Sequence, residues 1–133
     1  MLVRNITSQI GENAGKVWKV IANRGVATLD EIISETNMTS NELHTAIGWL
    51  ARENKIREEN NAYELADTNL EPMVGTTAGK VYKILDIWEQ ADLTTMKRLS
   101  DQNDEELYQA VGWLAREDKI IIDQDKKYTL KNE

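Results

Sequence analysis

The chain has 133 residues, of which 41% are hydrophobic and 29% charged, a balance typical of a folded protein rather than a disordered one. Its 16 Lys and Arg residues are outnumbered by 23 Asp and Glu, so the net charge of −7 repels phosphate at long range unless basic residues gather on one face. The absence of cysteine excludes disulfides, thiol nucleophiles and thiolate metal sites.

The N-terminal sequence and the apolar runs of the chain carry no membrane signal. The N-terminal sequence MLVRNITSQ has no apolar signal core and no small-residue cleavage site. No apolar run approaches the ~20 residues that a membrane-spanning helix requires. We therefore expect a cytoplasmic protein that makes no membrane contact.

The first predicted element is a helix through residues 14–21. Ala14, Val17, Trp18 and Ile21 recur there at helical spacing. Gly25 stands where such a helix would end, because glycine readily adopts the conformation that terminates a helix. A short extended segment, VAT, is expected to follow.

Two capping boxes predict the next two helices. Thr28 and Glu31 stand three residues apart at the start of LDEIISET, and Thr39 and Glu42 do so at the start of NELHTAIGWLARE. Stepping about 100° per residue around the later helix places one apolar group inward: Leu43, Ala46, Ile47 and Leu50. KIREE, a turn at 60–61 and AYELA then predict a β-hairpin.

The same elements return 64 positions later. AGKVWKVI (14–21) aligns with AGKVYKIL (78–85), and NELHTAIGWLARENKI (41–56) aligns without a gap with EELYQAVGWLAREDKI (105–120). Asn103 and Glu106 supply the equivalent capping pair, and KIIID and KYTLK supply the hairpin. The segment ADTNLEPMVG between the repeats carries the only proline, Pro72, and is predicted to be a linker. The predicted division is a first domain at 1–66, a linker at 67–73 and a second domain at 74–133.

The order helix, short strand, helix, turn, helix, hairpin is that of a winged helix. Both repeats resemble a family of short, uncharacterised winged-helix domains of bacteria and archaea, with A-G-x-V-[WY] in the first helix and G-W-L-A-R-E ending the third. The resemblance is carried by residues 14–21, 46–56, 78–85 and 110–120. It implies a mainly α fold with small β-hairpins, and it implies no activity.

Duplication has a physical reason. A domain of ~60 residues buries only about 60% of its unfolded surface and is marginally stable alone. Two copies in one chain can cover each other's apolar patches without depending on protein concentration. We therefore predict two tandem winged helices that pack as a pseudo-twofold pair.

The pair Gly-Trp in each third helix falls on or beside the outward face. In the first repeat this face carries Asn41, Thr45, Gly48 and Arg52, with Trp49 at its edge; in the second it carries Glu105, Gln109, Gly112 and Arg116, with Trp113 at its edge. A glycine inside a helix costs about 1 kcal/mol relative to alanine, which is explained if another group approaches closely. Three interpretations stay open: packing within one repeat, packing between repeats or subunits, and contact with an external partner.

The functional prediction is a non-enzymatic module for protein–protein contacts in gene regulation or chromatin. Its partner would be another protein or a second copy of the chain, docked on the outward faces of the third helices. Trp and Arg are enriched at the energetic centres of interfaces. The predicted partner-binding residues are Gly48, Trp49, Arg52, Gly112, Trp113 and Arg116.

Duplex DNA is the alternative partner, read by the helix-turn-helix and wing of the second repeat. The candidate residues for phosphates and bases are Lys97, Arg98, Gln109, Arg116, Lys126 and Lys127. The acids at 104–106 oppose this alternative, because they stand at the helix start that should enter the groove. Weak binding with a steep salt dependence is the most that we expect.

The sequence shows no pattern typical of a nucleotide-binding, catalytic or metal site. The segments 11–16 and 75–80 resemble a phosphate loop, but they are one residue too short and lack the hydroxyl residue that holds magnesium. His44, the only histidine, would need a nucleophile held against it, and only Ser and Thr residues at caps and turns are available. It is expected to be a solvated helix residue. Acids 104–106 diverge around their helix and suit a solvated helix start better than a metal site. We expect no catalysis, cofactor, metal or small-molecule substrate.

Overall fold

The structure is a computed structural model, and it describes residues 6–131. The first repeat comprises helix α1 (Thr7–Arg24), strand β1 (Val26–Thr28), helices α2 (Leu29–Thr36) and α3 (Ser40–Arg52), and strands β2 (Ile56–Glu59) and β3 (Ala62–Leu65). A π-helical turn (Glu71–Gly75) then leads directly into the second repeat. This repeat comprises α4 (Thr76–Trp88), α5 (Leu93–Ser100), α6 (Asp104–Arg116), β4 (Ile120–Ile122) and β5 (Tyr128–Leu130).

The predicted helix ends are confirmed. Helix α1 ends at Gly25, whose φ of 82° lies in the left-handed region that favours glycine. Capping boxes open α2, α3 and α6: in each, the cap side chain accepts a hydrogen bond from the backbone N–H three residues on, and the Glu carboxylate there accepts one in return. Helix α5 begins differently, since Asp92 accepts a bond of 2.9 Å from the backbone N–H of Thr95.

Both predicted hairpins form wings. In the first repeat β1, β3 and β2 make an antiparallel sheet in which Tyr63 pairs with both Ala27 and Glu58. In the second repeat β4 and β5 pair alone, and the strand equivalent to β1 is reduced to a bridge between Ala91 and Tyr128. Each wing is therefore tied back to the end of its own first helix.

Each repeat contributes apolar residues from the start of its first helix, or from just before it, to the hydrophobic core of the other repeat. Leu70 and Val74, which precede α4, are buried in the core of the first repeat. Ile10 of α1 is buried in the core of the second repeat, where the Ile6 backbone N–H also donates to the carbonyl of Ile122 at 3.0 Å. The segment 67–73 thus contributes to a core as well as joining the repeats. We keep 1–66 and 74–133 as the proposed division along the chain.

The third helices α3 and α6 make the main contact between the two repeats. Equivalent residues 64 positions apart meet across it, as the following contacts show. The predicted fold class, two tandem winged helices packed as a pseudo-twofold pair, is confirmed.

Candidate interaction surfaces

The glycines of the two third helices are explained by the crossing of α3 and α6. A Cβ atom on Gly48 would lie 1.8 Å from the backbone oxygen of Gln109, and one on Gly112 would lie 1.8 Å from that of Thr45. No side chain fits at that separation, so only glycine lets the helices approach so closely. Of the three open interpretations, packing between repeats is the one that accounts for these glycines.

The tryptophans and arginines follow the same pattern. Arg52 lies over the ring of Trp113, 5.6 Å from its centroid, and its Nε donates to the Glu117 carboxylate at 3.0 Å. The matching set joins Arg116 to the Trp49 ring at 5.8 Å and to Glu53 at 2.9 Å. Both indoles are half-buried and pack against both cores. The residues predicted to bind a partner therefore contact each other across the two repeats, and their binding of an external partner stays a prediction.

His44 is a further correction. The sequence predicts a solvated residue, but the second repeat covers it and leaves 3% of it exposed. Its Nδ1 accepts a hydrogen bond from Nε2 of Gln109 at 3.0 Å, and its Nε2 lies 3.8 Å from a carboxylate oxygen of Glu105. Burial lowers the pKa of His44, and the charges of Glu105 and Glu58 oppose this shift only in part. The neutral imidazole is thus the form that fits this interface.

This burial predicts a pH dependence of stability. Since the folded-state pKa lies below the ordinary value of 6.5, the unfolded chain takes up a proton first as the pH falls. The stabilising contribution is complete above that value and is lost as the pH drops toward the folded-state pKa. Urea unfolding should show wild type losing more free energy between pH 7.5 and 5.5 than His44→Gln does. Parallel losses in the two proteins would contradict the assignment.

The six candidate DNA-binding residues are divided between two kinds of environment. Gln109 and Arg116 are engaged inside the chain, with His44 and with Glu53 and Trp49. The remaining four stay exposed on α5 and on the second wing: Lys97, Arg98, Lys126 and Lys127. Of these, Lys97 pairs with Asp104 at 3.1 Å. The two residues that would read bases are therefore engaged in contacts between the repeats, while those that would contact phosphate are exposed.

The boundary between the repeats has two equivalent places, and they differ in volume. On one side a cleft of about 450 Å³ separates the starts of α1 and α3 from α6 and the second wing, with Gln9, Asn13, Thr45, Tyr108 and Lys126 among its lining residues. The equivalent place on the other side holds about 10 Å³. No group of three or more His, Cys, Asp or Glu side chains among residues 6–131 is placed to hold a metal ion.

Two other grooves occupy equivalent places on the two repeats, each between the first helix and the end of the third. The groove of the first repeat, groove 1, has a volume of about 520 Å³ and is lined by Gly11, Ala14, Gly15, Trp18, Lys19, Trp49, Leu50, Glu53 and Lys55. Groove 2 has about 370 Å³ and is lined by Gly75, Ala78, Gly79, Tyr82, Lys83, Trp113, Leu114, Glu117 and Lys119. Every lining residue of groove 2 stands 64 positions after one of groove 1. Sequence reasoning missed these grooves, although they are built from the two most strongly repeated motifs.

One apolar patch is unique to the second repeat. Ile87, Trp88 and Leu99 are 76%, 53% and 40% exposed. In the first repeat Arg24 bridges Glu31 and Glu35, and Arg24 and Glu35 are the equivalents of Trp88 and Leu99. An ion-pair cluster in the first repeat thus occupies the place where the second repeat has exposed apolar side chains.

Comparison with known proteins agrees with this architecture. The model of the family described as "Winged helix-turn-helix domain (DUF2582)" matches the chain twice, at residues 6–69 and 68–131. An uncharacterized protein of Methanocaldococcus jannaschii, MJ1608, is 39% identical over 61 residues, which cover 44% of this chain and 87% of that protein. No solved structure matches the chain at a significant level. In the part of the chain that the structure describes, no helix is both long and apolar enough to cross a membrane.

Proposed function

Because the chain belongs to the winged helix-turn-helix domain family DUF2582, we propose that it is a non-enzymatic interaction module that binds a protein partner in gene regulation or chromatin. Winged helices are typically non-enzymatic and bind DNA or proteins. The choice of a protein as the partner rests on the crossing of α3 and α6 at Gly48 and Gly112. This crossing packs against each other the outward faces of both third helices, which are the faces that would read bases. Docking a duplex on these faces would require the repeats to separate.

Charge supports the same choice. A helix-turn-helix inserts the N-terminal residues of its third helix into the major groove. The first turn of α6 carries Asp104, Glu105 and Glu106, which would approach the phosphates. We therefore propose that the partner docks on the surfaces that stay open when the repeats are packed, rather than on the third helices.

Duplex DNA is kept as the second candidate because one observation favours it. Lys97, Arg98, Lys126 and Lys127 are all exposed in the second repeat. Cations of this kind support binding to phosphates without base reading, and such binding weakens steeply with salt.

A titration of labelled random-sequence duplex at low and moderate salt separates the two candidates. We expect, at most, weak binding that disappears at moderate salt, and the same behaviour from the Lys126→Ala/Lys127→Ala variant and from a charge-matched control, Lys16→Ala/Lys80→Ala. Binding that persists at moderate salt would overturn the protein proposal. If its salt slope flattened only in the wing variant, duplex DNA would be the partner.

A further inference from the structure

The glycines of the first helices divide into two groups. Gly11 and Gly75 face the indoles, since a Cβ atom would lie 3.0 Å from Trp49 and 3.4 Å from Trp113. Among residues 6–131, no heavy atom lies within 4 Å of the place where a Cβ on Gly15 or Gly79 would stand. Each of these glycines costs its helix about 1 kcal/mol relative to alanine, and no contact within the described residues explains that cost. The floors of grooves 1 and 2 are thus bare toward solvent.

Aromatic rings line the sides of each groove, next to the exposed glycine. Trp18 in groove 1 and Tyr82 in groove 2 are each 40% exposed. The half-buried Trp49 and Trp113 line the opposite sides. A groove between two rings, with a glycine at its base, can accept an apolar side chain together with the backbone that carries it.

The grooves are basic although the chain is acidic. In groove 1 the one carboxylate, Glu53, is bound by Arg116 at 2.9 Å and lies 3.5 Å from Lys55, while Lys19 adds a further cation at the rim. Groove 2 repeats the arrangement with Glu117, Arg52, Lys119 and Lys83. The lining of each groove thus carries two lysines and one carboxylate, and an arginine outside the lining also binds that carboxylate, which makes the groove complementary to negative charge although the net charge of the chain is −7.

We propose that each groove binds an acidic peptide segment through one apolar side chain, so that one chain takes two such segments. The inference rests on the proposed function, because it names the chemistry of the protein partner. A ringed groove of 370–520 Å³ suits an apolar side chain, which a phosphate backbone does not offer. Two grooves on one chain also let a partner with two segments bind more tightly than either segment alone.

The probe is a random dodecapeptide phage library panned against the full chain. We expect enrichment of acidic peptides that carry an apolar residue, and a synthetic copy should bind with two equivalents per chain. Gly15→Leu should halve that stoichiometry, because the new side chain fills groove 1, and Gly15→Leu/Gly79→Leu should abolish binding. Lys19→Glu/Lys83→Glu should weaken binding at least tenfold, whereas Lys16→Glu/Lys80→Glu, on the same helices but outside both grooves, should change it less than threefold.

The controls keep each outcome decisive. Both leucine positions are exposed, so circular dichroism and urea unfolding should show the variants folded as in wild type. Enriched peptides that bind the double leucine variant normally would overturn the groove assignment and leave the interaction-module function standing. Absence of enrichment together with salt-resistant duplex binding would overturn both. Sedimentation showing self-association that the leucine variants abolish would replace the peptide by a second copy of the chain.

Discussion

Replacing Gly48 with alanine is expected to lower the free energy of unfolding by about 3 kcal/mol, the upper part of the usual range for overpacking. The new Cβ would lie 1.8 Å from a backbone oxygen of α6, and no rotamer change can relieve a clash with backbone. The helices must move apart, which also loosens the contacts of Trp49 and Arg52. Gly112→Ala should behave in the same way, since its Cβ meets the backbone of α3. Urea unfolding followed by far-UV circular dichroism measures both.

Gly15→Ala is the matched control, because it places the same methyl group in a helix with open space around it. It should raise the free energy of unfolding by up to about 1 kcal/mol, the ordinary gain for replacing an exposed helical glycine. The two substitutions thus differ in sign as well as in size. If Gly48→Ala were as stable as Gly15→Ala, α3 and α6 could not cross as closely as described.

When the two repeats are produced as separate fragments, neither is expected to fold as a monomer. A fragment of residues 6–69 lacks Val74, which belongs to its core, and exposes the α3 face that α6 covers. A fragment of residues 68–131 lacks Ile10 in the same manner. Single repeats of this size have little stability to spare. We expect each fragment either to lose most of its helical signal or to sediment as a dimer that pairs two third helices.

Far-UV circular dichroism and sedimentation velocity on each fragment and on an equimolar mixture test this expectation. The mixture should recover the helical signal of the intact chain as a one-to-one complex. Either fragment behaving as a monomer with native helicity would contradict the prediction. It would also show that the exchanged residues and the helix crossing contribute little to stability.

Much of the fold was predictable because its signals are local. The capping pairs Thr28–Glu31, Thr39–Glu42 and Asn103–Glu106 act within one turn of helix, and their geometry does not depend on what the helix packs against. Hairpins and the end of α1 at Gly25 are equally local. The reduction of the strand near Ala91 to a bridge was not visible, because it depends on pairing with a strand distant in the chain.

The candidate site was less predictable for the same reason. His44 was predicted to be solvated because its burial depends on contacts with α6, where Gln109 binds its imidazole and Glu105 lies near it. The helical pattern placed Gly48 on an outward face, but an outward face of one repeat can be the inner face of a pair. Gly15 drew notice only as part of a false phosphate loop. Its recurrence as Gly79, beside an aromatic residue and two lysines each time, was the available signal for the grooves.

The amino-acid sequence by itself determined the number of winged helices and the capped starts of their helices, because these depend on neighbours close along the chain. Only the tertiary structure decided which surfaces are buried between the repeats and which stay exposed to solvent. The third helices cover each other through Gly48 and Gly112, while Ile10 of α1 and Val74 just before α4 are each buried in the core of the other repeat. Grooves 1 and 2 stay uncovered. Coverage is a relation between residues far apart in sequence, so a pattern within one repeat cannot reveal it.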